Sequence, residues 1–299
     1  MQSGLSQIPS WPIWWDTLAA RLNWSTGRSS LSWAPTMGAP IIMSAHLRAI
    51  PTASSTMKTG SLEISARPSL AQPMPAEAPV LLSALQLGSP ALPIGGFAYS
   101  QGLEWAIEEG TVHDAHSAKT WIRDMLRFNL ARQELVLWNA AYRAAAHRDE
   151  RALTRLNGRI YALKETAELR QESAQMGQSL AKLFSIWDPS GWLESIVLDR
   201  PWTHSAAHGA LCALAEFTEA AGMTTFAWSW LENQVLTAVK HVPLGQTEGQ
   251  KILHALQPDI AKAVELARAT SLADMGTAAF GLAIASARHE AQYSRLFRS

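Results

Sequence analysis

Residues 121–128 read Trp121-Ile122-Arg123-Asp124-Met125-Leu126-Arg127-Phe128. Trp121, Ile122, Met125, Leu126 and Phe128 recur at the spacing of a single helix face, and Arg123, Asp124 and Arg127 take the intervening positions. This is the period of an amphipathic helix, and the chain from Ala76 onward is helical in pattern almost throughout. Upstream, a helix is expected over Phe97–Glu108, and His113 and His116 flank a helix start near Asp114. Downstream, Asp149 reads as the N-cap of an Ala/Leu/Arg-rich run, and a long helical segment is expected from Ala162 to Trp187. Asp188-Pro189-Ser190-Gly191 marks a break. Thr203 or Ser205 can cap an Ala-rich run through Ala221 that Gly222 ends, and Thr247 to Gln250 has capping-box spacing, with a related form at Ser271 to Asp274. Alternating β-branched runs bounded by turns do not occur. The pattern predicts an all-α, multi-helix bundle.

Residues 1–75 differ. Trp11, Trp14, Trp15, Trp24 and Trp33 sit among Ser, Thr, Pro and Gly without a sustained period, and Pro68, Pro73, Pro75 and Pro79 exclude a continuous helix at the boundary. An organelle leader would need an amphipathic helix, and disordered arms are usually poor in tryptophan. We therefore read residues 1–75 as an irregular or disordered extension, with translation starting further in at Met43, Met57 or Met74. Residues 76–299 form the helical domain.

Of the 299 residues 47% are hydrophobic and 17% charged, with formal net charge zero, a balance that supports a sizeable core and supplies no global field for nucleic acid or an anionic membrane. Cys212 is the single cysteine, so neither an intramolecular disulfide nor a Cys-rich zinc site is available. No run reaches the length of a spanning helix, and the start lacks the pattern of a secretory signal. The expected location is the cytoplasm.

Catalytic signatures are missing: the chain has no GxxxxGK[ST] loop, no GxGxxG after a strand and no HExxH. The Gly95-Gly96 pair fits a tight turn better than an anion cradle. His204, His208 and Cys212, spaced four apart, would share a helix face and form the one metal candidate, suited to Ni²⁺ or Zn²⁺; the surrounding alanines favour ordinary core packing. Glu108 and Glu109 point to different faces and are read as solvated. Phe226, Trp228 and Trp230 lie in an apolar run, where packing is the expected role.

Two segments resist a purely structural reading. Leu92-Pro93-Ile94-Gly95-Gly96-Phe97-Ala98-Tyr99-Ser100-Gln101-Gly102-Leu103-Glu104 is rich in turn and polar residues for its apolarity. The end of the chain sets Tyr293, Leu296 and Phe297 among Arg288, Arg295 and Arg298, an interface-type composition with no evident core to join.

These segments resemble the UreF family of urease accessory proteins, with Ala98 where Ser is expected. The resemblance continues through Glu168-Leu169-Arg170-Gln171-Glu172-Ser173 with Met176-Gly177, Trp228-Ser229-Trp230-Leu231-Glu232-Asn233-Gln234, Val242-Pro243-Leu244-Gly245-Gln246-Thr247 and Arg288-His289-Glu290 to Ser299. It implies an all-α cytoplasmic homodimer without catalysis or a tightly bound cofactor of its own. Such a protein bridges a UreD/UreH-type partner and the UreG GTPase so that nickel, handled by the complex, reaches apo-urease. It also implies partner-binding roles for Pro93, Gly95, Gly96, Tyr99, Gln101, Gly102 and Glu104, for Arg170 and Glu172, for Pro243, Gly245 and Gln246, and for Arg288, Tyr293, Arg295, Leu296 and Phe297, with the tail ordering on its partner. The alternatives are a GTPase-activating role in which Arg170 or Arg288 serves as an arginine finger, and an unrelated all-α enzyme.

Overall fold

The computed structural model describes residues 78–277 and 279–299. The expectations for residues 1–75 lie outside them. Among the described residues there is no strand; the chain is a helical bundle, as its periodicity predicts. In chain order the helices are α1 (Ala78–Leu87), α2 (Leu103–Glu108), α3 (Ala115–Met125), α4 (Leu135–Ala146), α5 (Glu150–Ala162) and α6 (Ala167–Ala181). After them come the single turns α7 (Phe184–Trp187) and α8 (Trp192–Ser195), then α9 (His204–Leu214), α10 (Glu219–His241), α11 (Gln246–Ala269) and α12 (Phe280–His289). A π-helical segment, Leu126–Glu134, joins α3 to α4 without a break.

The core is organised around Trp138 on α4, which is fully buried. Its ring stacks on Tyr142 at 5.5 Å, and its indole N–H donates to His208 Nδ1 at 3.1 Å. Helix α9 approaches α4 closely because it presents glycine and alanine there. A Cβ on Gly209 would lie 2.6 Å from the Trp138 carbonyl oxygen, and one on Gly222 would lie 2.6 Å from the Trp138 ring. Helix α6 meets the start of α9 still more closely, since a Cβ on Gly177 would fall 2.1 Å from the Trp202 carbonyl oxygen.

Several helix ends follow the sequence. Asp114 and Ser117 make a reciprocal capping box, with Asp114 accepting from the Ser117 N–H at 2.7 Å. Asp149 accepts from the Ala152 N–H at 2.9 Å, and residues 188–191 form the expected break.

Other ends differ from expectation. The helix expected over Phe97–Glu108 is a 3₁₀ turn at Gly96–Ala98 followed by α2, because Gln101 (φ 53°) and Gly102 (φ 75°) are both left-handed. The segment from Ala162 to Trp187 is cut after Ala162, and α6 restarts with Thr166 as its cap, accepting from the Leu169 N–H at 3.2 Å. Thr203 precedes α9 but its hydroxyl donates to Asn157 Oδ1 at 2.9 Å instead of capping. Helix α9 ends at Leu214; Thr218 caps α10, and Gly222 lies inside α10, where the Trp138 ring requires it. Thr247 is already within α11, whose N-cap position is Gly245. Ser271 and Asp274 are hydrogen-bonded to each other, but in a turn with no helix behind it.

Candidate functional site: a buried signature that holds the C-terminal tail

The segment 92–104 does two opposite things within a few residues. The turn at Gly95 (φ 77°) directs Phe97 outward, 64% exposed, and Tyr99 inward, where its hydroxyl donates to Gln175. After Tyr99 the two left-handed residues reverse the chain into α2. A Cβ on Gly102 would sit 2.9 Å from Ala285 Cβ and the Ser286 nitrogen, so glycine lets this turn press against α12.

The polar side chains of the segment tie distant parts of the chain together. Gln101 Oε1 accepts from the Trp230 indole at 2.7 Å while its amide donates to Glu172 at 2.6 Å. Glu104, 4% exposed, accepts from the Leu296 N–H at 2.6 Å and the Phe297 N–H at 2.9 Å, and it meets His289 Nε2 at 3.1 Å. The other face of the buried His289 ring meets Glu168 at 2.6 Å, and Glu168 also binds Arg295. Ser299 Oγ donates to Glu172 at 2.6 Å, its carbonyl oxygen accepts from the Ser100 N–H at 2.9 Å, and the Arg298 N–H donates to the Ala98 carbonyl at 2.9 Å. Lys240 lies over the Phe297 ring at 5.6 Å and His241 is 5.2 Å from it.

The expectation that the tail has no core to join is therefore not met. Phe297 and Ser299 are buried, held by groups from three separate segments: Ser100 and Glu104, Glu172, and Lys240 with His241. The electrostatics agree with the geometry. Burial alone would raise the Glu104 carboxyl, but the hydrogen bonds from His289 and the two tail N–H groups outweigh it and hold it below the usual range. Burial alone would lower His289, but Glu104 and Glu168 on its two faces raise it, favouring imidazolium.

Beneath this network lies a cavity of about 90 Å³ lined by Gln101, Glu134, Lys164, Glu172, His204 and Trp230 among others. Lys164 Nζ is 2.6 Å from Glu134. Burial would lower the Lys164 ammonium, and the charge and hydrogen bond of Glu134, with Glu172 and Glu165 adding to them, more than reverse that. Glu172 is pushed up by burial against its bonds from Ser299 and Gln101.

The expected site residues thus fall into two sets. Tyr99, Gln101, Gly102, Glu104, Glu172, Arg295 and Phe297 converge, and apart from Arg295 and the half-buried Gln101 they are buried. Pro93, Tyr293, Leu296 and Arg288 are exposed, while Gly95 and Gly96 are half-buried in the turn. Arg170 is anchored, donating to the Lys164 carbonyl at 2.8 Å. Pro243 and Gly245 in the connection from α10 to α11, and Gln246 at the start of α11, are exposed and take no part in the network. His289, Glu168, Ser100 and His241 are additions to the expected set; the first three stand within the matching stretches, and His241 lies just outside them. Glu134 and Lys164 carried no sequence signal.

His204, His208 and Cys212 do lie along α9, but inside the core. Burial depresses both imidazoles to about 3 and pushes the thiol up, and His208 Nδ1 already accepts from Trp138. Among the described residues no group of three or more His, Cys, Asp or Glu side chains is arranged to hold a metal ion.

The family model described as UreF matches residues 112–257. The urease accessory protein UreF of Azoarcus sp. (strain BH72) is 44% identical over 229 residues, covering 73% of this chain and 95% of that protein. The chain belongs to the UreF family of urease accessory proteins. UreF of Cupriavidus pinatubonensis is likewise 44% identical over 224 residues, 73% of this chain and 97% of its own length. The bifunctional urease accessory protein UreEF of Bordetella bronchiseptica is 43% identical over 248 residues, 81% of this chain and 56% of that longer protein. As in the sequence reading, this UreF-family chain is a urease accessory protein. None of its described helices is long and apolar enough to cross a membrane.

Proposed function

We propose that this UreF-family protein is a cytoplasmic homodimeric scaffold. It binds a UreD/UreH-type partner and a UreG-type GTPase and brings them to apo-urease, with nickel as the cargo of the assembly. It has no catalysis of its own and no tightly bound cofactor. The observation that carries this reading is the division of labour at the tail. Glu104 and the backbone of Ala98 and Ser100 fix the backbone of residues 296–299, and Glu172 holds the Ser299 hydroxyl, while Tyr293 and Leu296 stay fully or largely exposed. The contact between Arg298 and Ala98 sets this tail beside the turn that carries exposed Phe97. Aromatic and apolar side chains on a backbone that is already fixed suit a docking surface, because little ordering cost remains when the partner arrives. The exposed leucines of α1, Leu81, Leu82 and Leu85, offer a further apolar face for the dimer or a partner.

The test is complementation of urease-expressing cells that lack their own UreF. Urease activity and nickel content are measured with residues 74–299, the full chain, or a chain ending at Ala287. Restoration by the first two and failure of the third is the expected result. Failure of both intact forms to load nickel, with compatible partners present, would remove the assignment.

A further inference from the structure

An open cleft of about 590 Å³ lies between the π-helical segment and α11, lined by Arg123, Arg127, Arg132 and Lys262 together with Phe128 and Leu266. In a chain whose basic and acidic residues number 25 each, four cations there face one lining carboxylate, Asp259, which is 3.7 Å from Arg123. Neither Asp124 nor Glu265 lines the cleft. Among the described residues Arg127, Arg132 and Lys262 have no carboxylate within ion-pair distance.

The π geometry creates this concentration. Arg123 and Arg127, four residues apart, are neighbours on one helix face. In a continuing α-helix Arg132 would point about 140° away from Arg127. Hydrogen bonding from i to i+5 instead widens the turn and brings residues five apart nearer to one face than an α-helix would, and Arg132 joins the same cleft. The widened turns are supported from outside: the Gly276 N–H donates to the Arg132 carbonyl at 3.3 Å, and Thr277 Oγ1 donates to the Phe128 carbonyl at 3.2 Å. Arg127 lies 5.8 Å from the centre of the Phe128 ring. The result is a row of guanidinium groups between two exposed apolar side chains.

We propose that this cleft docks an acidic segment of a partner protein, its carboxylates meeting Arg127, Arg132 and Lys262 and an apolar side chain seated between Phe128 and Leu266. The apolar walls favour a peptide over a bare anion, and guanidinium groups pair with carboxylates bidentately. The proposal stands independently of the urease role. The test is fluorescence anisotropy of the full chain with a fluorescein-labelled peptide of repeating Glu-Leu-Glu-Glu, beside the same peptide with Gln for Glu. The Glu peptide should bind saturably and lose affinity as salt rises, and the Gln peptide should not bind. The double variant R127E/R132E should weaken binding about tenfold or more. R151E/R155E on α5, an equal change of net charge at exposed positions, should leave it unchanged. Circular dichroism checks that both variants fold. No saturable binding by the unaltered chain, equal losses in both variants, or full displacement by inorganic phosphate would each overturn the proposal.

Discussion

Replacing Glu104 by Gln tests whether the tail is held by this one carboxylate. The substitution keeps the volume of a side chain that is 4% exposed, so no cavity confuses the result. It removes the charge that receives the Leu296 and Phe297 N–H groups and faces His289. An amide presents one acceptor and one donor, so at least one tail N–H then faces another N–H. Hydrogen bonds to a charged acceptor contribute about 1.5–3 kcal/mol each, and two are weakened or lost. Burial of Phe297, about 2 kcal/mol, is common to both proteins and drops out of the difference. A net weakening of about 3 kcal/mol corresponds to roughly a hundredfold rise in the open population of the tail. Hydrogen–deuterium exchange read by mass spectrometry should show the amides of 296–299 losing protection by that order, with those of α4 around Trp138 unchanged. Unchanged tail protection would refute the latch. Parallel loss in α4 would refute its local character.

The same amides should respond to pH from both sides. Glu104 is held below its ordinary value, so its contribution is present above pH 4.5 and is lost as pH falls through the lowered value; His289 is raised above 6.5, so its contribution is complete below that pH and fades as pH climbs through the raised value. Protection at Phe297, corrected for intrinsic exchange, should therefore peak between those limits. Lys164→Met should lower stability by about 3–5 kcal/mol in denaturant unfolding by leaving Glu134 buried without its partner, and Lys164→Met with Glu134→Leu should recover much of that loss. Gly177→Ala should destabilise by about 1–3 kcal/mol or more, read as a fall in Tm, because the new methyl meets the Trp202 carbonyl. Tyr293→Ala should leave tail protection intact while weakening co-purification with the UreD-type partner; an unchanged complex would remove Tyr293 from the docking surface.

How much of this was legible beforehand depended on the range of the forces involved. The helices at 115–125 and 150–162 could be read because their apolar period and their caps, Asp114 and Asp149, lie within a few residues of one another. The boundary of α9 was misread because the groove for Trp138 comes from α4, and that distant contact is what places Gly222 inside a helix. Thr203 failed as a side-chain cap for a similar reason, since Asn157 takes its hydroxyl. The π segment had no local signature; Leu126–Glu134 continues the pattern of α3, and its widened turns meet the loop at Gly276 and Thr277. Of the site, the matching stretches marked the right segments but not the roles of their residues. Gln101, Glu104 and Glu172 are polar, and only contacts with distant segments explain how they lie buried or half-buried: Gln101 with Glu172 and Trp230, Glu104 with His289 and the tail, Glu172 with Ser299.

That inversion changes what a loss of binding would mean. A polar residue in the 99–104 segment can matter to a partner without touching it, since Glu104 and the Ser100 N–H set the path of residues 296–299 and leave Tyr293 and Leu296 to meet solvent. The expected ordering of the tail on its partner then becomes unnecessary as a source of specificity. A tail already fixed by Phe297 burial and by the Glu104 bonds presents its exposed side chains in one arrangement, so a partner that fits another arrangement must first break the latch. Under the proposed scaffold role, specificity then comes from the energy of that latch as well as from the surface it displays. Substitutions beneath the tail should alter partner choice and tail protection together, whereas substitutions on its exposed face should alter partner choice alone.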